Sequence, residues 1–114
     1  MQQADLVAYL LARPGAAETH PFGAEPDVYK VSGKIFAILS RDVQPMRISL
    51  KCDPDLAEAL RRAHPAVSPG YHLSKRHWNT LVLDDSIADD EVLGMIDHSY
   101  DLVAPGRHPR PTSR

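Results

Sequence analysis

The chain has 114 residues, 43% hydrophobic and 25% charged, with a formal net charge of −2. That size accommodates one core and one domain, and that composition excludes disorder over most of the chain. Its one cysteine, Cys52, excludes an internal disulfide, and there is neither an apolar run of about eighteen residues nor a basic start to the N-terminus, so no membrane span or secretory signal is implied and the cytoplasm is the expected compartment.

Leu6, Tyr9 and Leu10 stand at helical spacing in "QADLVAYLLAR", and Pro14-Gly15 stops this first helix. "THPFGAEPD" is rich in turn formers and predicts a loop. "DVYKV" and "KIFAILS" then read as two strands around the two-residue turn "SG". "MRISLK" alternates strictly, with Met46, Ile48 and Leu50 on one face and Arg47, Ser49 and Lys51 on the other, as a half-buried antiparallel strand requires. Asp53-Pro54 predicts a helix start, because the aspartate can accept from first-turn N–H groups and proline there gives up no hydrogen bond. Leu56 and Leu60 would form the inward stripe of that helix, and Pro65 ends it. "HWNTLVL" reads as a fourth strand. A last helix starts at the capping pattern "SIAD" and runs to about Ala104, with Leu93, Ile96, Tyr100 and Val103 inward. Residues 105–114 have no apolar anchor and are expected to be a disordered tail outside a single domain spanning 1–104. The expected class is α+β: an antiparallel sheet of four or more strands with helices packed on one face.

Charge is segregated along this order. Residues 1–27 carry −3, residues 28–83 carry +5 and residues 84–104 carry −7. A chain divided in this way can be basic on one face and acidic on another, and the local field decides what it attracts.

Several chemistries find no support. Neither G-x-G-x-x-G nor G-x-x-x-x-G-K-[ST] occurs, so no nucleotide loop is expected. Cys52 meets a helix N-terminus, but packing is its expected role, since no base or orienting partner accompanies it. The six histidines lack an i, i+4 pair, and Asp90 and Asp101 on the last helix are about 16 Å apart by helix rise, so no metal, cofactor or catalytic residue is expected.

Four blocks, "HPFG…VYKVSGKIFAIL", "ISLKCDP", "GYHLSKRHWNT" and "MIDHSYDLV", resemble in order and spacing the signature segments of the MmcQ/YjbR family of small bacterial proteins, over residues 3 to 104. The resemblance implies a CyaY-like (frataxin-like) fold and the family's usual description as DNA-binding through a double-wing arrangement.

Residue chemistry offers a surface for such a role. If Leu81 and Leu83 point inward, alternation sends Trp78, Thr80 and Val82 to the face type that carries Arg47 and Lys51. Lys75, Arg76 and Tyr71 border it in the preceding loop, and Lys30 and Lys34 add charge on the hairpin. Basic groups would meet phosphate, and Trp78 and Tyr71 would stack. Two other readings stand beside this one: Trp78 as a core residue covered by its loop, and a non-enzymatic adaptor that holds a protein or small molecule in the same concavity. The expected state is a monomer or weak homodimer, the latter through basic sheet against acidic helix.

Overall fold

The structure, a computed structural model, describes residues 1–70 and 72–106; Tyr71 and most of the expected tail, residues 107–114, lie outside them. The described residues form α1 (Gln3–Leu11), β1 (Ala16–Thr19), β2 (Asp27–Val31), β3 (Lys34–Ser40), β4 (Arg47–Lys51), α2 (Pro54–Ala63), β5 (Val67–Pro69), β6 (Trp78–Val82) and α3 (Asp89–Val103). The strands make one antiparallel sheet in the order β1-β2-β3-β4-β6-β5. No helix among the described residues is long and apolar enough to cross a membrane.

The β2–β3 turn is built as its sequence predicts. Ser32 and Gly33 have φ of 50° and 79°, both positive, which is the type I′ geometry that matches the strand twist. Beyond it the register shifts between Tyr29 and Lys30, leaving Phe36 as an extra residue on β3. The bulge lets the Phe36 ring turn inward, where it meets Tyr100 of α3 edge-on at 5.4 Å.

All three helices lie on one face of the sheet. Leu39, Ile48 and Leu81 of the strands are buried against Leu6 and Leu10 of α1 and Ile96 of α3. α2 joins that layer through Asn79, whose side-chain amide donates to Ala57 O at 3.3 Å. Each fully buried Leu or Ile contributes roughly 1.5–3 kcal/mol. A one-residue slip of β4 would expose Ile48 and Leu50 and bury Arg47 and Lys51, so core burial fixes which face is basic.

Three details depart from the sequence-based expectation. On α2 the buried residue is Ala57, while Leu56 is 40% exposed, because it lines an open cleft between α2 and α3. α3 begins at Asp89 with Ala88 as its N-cap, two residues later than the "SIAD" pattern suggests: Ser86 instead donates its N–H and Oγ to Asp84 Oδ1 at 3.0 and 2.6 Å, closing a local turn. Its acidic face is not wholly solvated, since Asp97 accepts from Tyr9 Oη at 2.8 Å and pairs with Arg13 at 2.8 Å.

Candidate nucleic-acid interface

Cross-strand register assembles the site. Arg47 faces Val82, Ser49 faces Thr80 and Lys51 faces Trp78 across β4 and β6, so these side chains share the face that carries no helix. Lys30 joins them: it pairs with Ile35, and the next outward pair on β2 and β3, Val28 with Ile38, continues to Ser49. Arg47 and Lys51 stand four residues apart on one strand, about 13 Å. Trp78 is half-buried on this face and lies outside the core cluster, so it is not the core residue of the competing reading. Between the charged ends, Ser49 Oγ and Thr80 Oγ1 hydrogen-bond to each other at 2.8 Å.

The loop from Gly70 to His77 is tied to the Trp78 end. Gly70 N donates to Trp78 O at 2.8 Å, and Cys52 N to His77 O at 2.8 Å. From α2, the Arg61 guanidinium donates to Asn79 Oδ1 at 2.8 Å and also to the carbonyl of Lys75. Lys75 and Arg76 are thereby held, exposed, beside Lys51 and Trp78. Lys34 departs from the expected constellation. It is exposed at the hairpin tip, and its register partner Val31 is a core residue, which puts it on the helical side. Tyr71, the other expected stacking group, lies outside the described residues.

Ion pairs or internal hydrogen bonds engage the other described arginines; Arg61, without a carboxylate, is held by Asn79 and the Lys75 carbonyl. Arg13, Arg41 and Arg62 each face a carboxylate: Asp97, Asp27 with Glu25, and Glu58. The six remaining described Lys and Arg residues, Lys30, Lys34, Arg47, Lys51, Lys75 and Arg76, have no carboxylate partner, and Lys75 Nζ donates to Gly70 O at 3.4 Å. Their charge is available to a ligand.

The field along the face is graded. Leu83 N donates to Met46 O at 2.8 Å, so the chain leaves β6 at the Arg47 end and runs at once into Asp84 and Asp85. The N-terminal ammonium offsets part of this acidity, 3.3 Å from Asp85 and 3.5 Å from Asp89. Hydrogen bonds from Ser86 hold the Asp84 carboxyl below its ordinary pKa and keep it charged. At the opposite end Asp53 and Asp55 follow two and four residues beyond Lys51, so the three cations Lys51, Lys75 and Arg76 are offset only in part.

A concavity among the described residues lies elsewhere. A cleft of about 270 Å³ opens on the helical side between α2 and α3, floored by Leu50 and Leu81 and walled by Leu56, Leu60 and Met95. It is therefore separate from the basic face, contrary to the expectation of one shared concave surface. Cys52 lines it, and burial, with a smaller contribution from Asp53, pushes the thiol up to about 11. A neutral thiol is a packing group rather than a nucleophile.

A polar cluster at the far edge of the sheet escaped the sequence reading. Glu18, His20 and Asp27 converge across the turn between β1 and β2, at and just before the segment read as a plain loop. Glu18 and His20 have the i, i+2 spacing that puts two side chains on one side of an extended chain. That spacing was the legible part; the return of Asp27 to meet them depends on the β1–β2 pairing.

The YjbR family model matches residues 11–102. The uncharacterized protein YjbR of Escherichia coli strain K12 is 36% identical over 100 residues, covering 88% of this chain and 85% of that protein. The uncharacterized protein YbdF of E. coli O157:H7 is 35% identical over 94 residues, covering 82% of this chain and 77% of that protein. Among solved structures, the crystal structure of Deinococcus radiodurans protein DR2400, with a DUF419 domain, superposes with a TM-score of 0.86 at 36% identity, covering 94% of this chain and 81% of that one. With its α+β architecture and a family match over most of its length, the chain belongs to the YjbR family.

Proposed function

We propose that the protein is a non-enzymatic DNA-binding protein that contacts phosphate through the helix-free sheet face and the adjacent loop. The observation that carries this reading is the set of cations without carboxylate partners on the helix-free face and its loop, with Lys51, Lys75 and Arg76 beside a half-buried Trp78 and Arg47 and Lys30 farther out on the same face, while the other described arginines are ion-paired or hydrogen-bonded within the fold. Arg47 and Lys51, about 13 Å apart, span roughly four base steps at 3.4 Å of rise. Trp78 offers a stacking surface to an unpaired base. The face supplies few groups that would read base edges, so binding is weakly sequence-dependent.

Binding of a fluorescent duplex and of the matching single strand, titrated with salt, tests the proposal. Wild type should bind saturably at low ionic strength, and Arg47→Ala/Lys51→Ala should lower the slope of log K against log salt by roughly two. Preference for the single strand, lost in Trp78→Ala, would assign stacking to the tryptophan. An unchanged slope in the double variant would show that the face is not the site.

A further inference from the structure

We propose that Glu18, His20 and Asp27 form a binding site for one divalent first-row transition-metal ion. The proposal is independent of the DNA reading, since none of these residues lies on the basic face. His20 Nε2 is 3.1 Å from Glu18 Oε2 and 3.0 Å from Asp27 Oδ1, and one ligand atom from each of the three residues falls within 4.8 Å of the others. Two ligands at right angles on an ion with bonds of about 2.1 Å are about 3.0 Å apart.

Direction supports the same conclusion. Neither His20 contact has the alignment of a hydrogen bond, whereas His64 Nε2 makes one with Glu91 Oε2 at 2.8 Å. In an octahedral arrangement, a ligand cis to the imidazole lies about 45° off the Nε2 axis, a direction poor for a hydrogen bond and required of two ligands on one ion. The imidazole nitrogen and two carboxylate oxygens face one another in a site whose Asp27 is fully buried, an arrangement that a positive charge between them would stabilise.

The carboxylates are held from behind. Tyr29 Oη donates to Glu18 Oε1 at 2.8 Å, which leaves Oε2 turned toward His20. The Arg41 guanidinium contacts both oxygens of Asp27, with Nη2 at 3.2 Å from Oδ1, and Glu25 accepts from Arg41 N at 2.9 Å. Such outer partners orient ligands and tune their basicity at metal sites. Charge also fits. Glu18, Glu25 and Asp27 with Arg41 sum to −2 around a neutral imidazole, which one divalent ion balances. His20 is 43% exposed, so an ion can enter and water can complete its coordination. One nitrogen and two oxygens suit zinc, cobalt or manganese, and the absence of thiolate disfavours cuprous ion.

Calorimetric titration of untagged, chelator-treated protein with Zn²⁺, repeated with Co²⁺ followed by visible absorption, tests the assignment. The expected result is one ion per chain and a raised thermal midpoint. His20→Ala and Glu18→Gln should each weaken binding at least tenfold, Tyr29→Phe about tenfold through loss of orientation, and His64→Ala should have no effect. Circular dichroism of each variant establishes that it is folded. Absence of saturable one-to-one binding in wild type, or unchanged affinity in folded His20→Ala, would overturn the proposal and leave a shared proton as the charge between these groups.

Discussion

Ser99 shows how much one small side chain can hold in this fold. It is fully buried on α3, accepts from Lys51 N at 2.9 Å and donates to Phe36 O at 2.6 Å. Lys51 ends β4 and Phe36 is the bulged residue of β3, so both backbone groups lack an ordinary ladder partner there. The hydroxyl supplies it. Ser99→Ala would leave two buried backbone groups unsatisfied and should cost about 2–4 kcal/mol, well above a surface serine. Chemical denaturation compared with Ser86→Ala checks this. A loss under about 0.5 kcal/mol would mean that water replaces the hydroxyl. The same splice fixes the end of β4 beside Lys51, so its loss should also weaken DNA binding in a protein that remains folded. Nothing in "MIDHSYDLV" marks Ser99 as buried, because a serine between His98 and Tyr100 has no apolar signal of its own.

At the scale of elements, legibility followed burial and local chemistry. The β2–β3 hairpin and β4 were legible because alternation and a type I′ turn act within a few residues. The start of α2 was legible because Asp53 caps locally, accepting from Leu56 N at 3.3 Å. β1 and β5 were not. They are the two edge strands, four and three residues long, and a short edge needs no strong apolar pattern. Pro69 is tolerated at such an edge. The basic face was legible from alternation, once Ile48 and Leu81 are taken as inward. The side of Lys34 was not, because it depends on the hairpin register. Gly70, where β5 passes into the basic loop, was read only as part of a turn. A Cβ there would stand 2.6 Å from Trp78 Cβ and 3.2 Å from Trp78 O. No rotamer relieves a clash with a Cβ, so the strand or the loop must move. Gly70→Ala should therefore cost about 1–3 kcal/mol, lower the thermal midpoint and shift the Trp78 emission. An unchanged midpoint and spectrum would show that the loop accommodates the methyl without strain.

For the whole molecule the decisive quantity is the direction of the charge gradient rather than the net charge of −2. The residues supplying the positive end, Lys51, Lys75 and Arg76, come from β4 and from a loop pinned by Arg61 of α2. The negative end begins where β6 runs out into Asp84 and Asp85, beside Arg47. A phosphate near Lys51 is about 13 Å from that end, where each carboxylate acts on it by about 0.3 kcal/mol in water before screening. A phosphate near Arg47 feels the same charges at closer range. Lys51→Ala should thus weaken DNA binding more than Arg47→Ala at one low salt concentration. Asp84→Asn/Asp85→Asn should strengthen binding by roughly threefold, from two charges at that distance. At about 0.1 M salt the screening length falls to about 10 Å, and the gain should shrink accordingly. Binding isotherms of the four proteins at two salt concentrations decide the matter. Equal losses for the two single variants, with no gain from the aspartate changes, would mean that bound DNA does not run along β4. In that case the loop around Arg76, rather than the sheet, would be the contact surface.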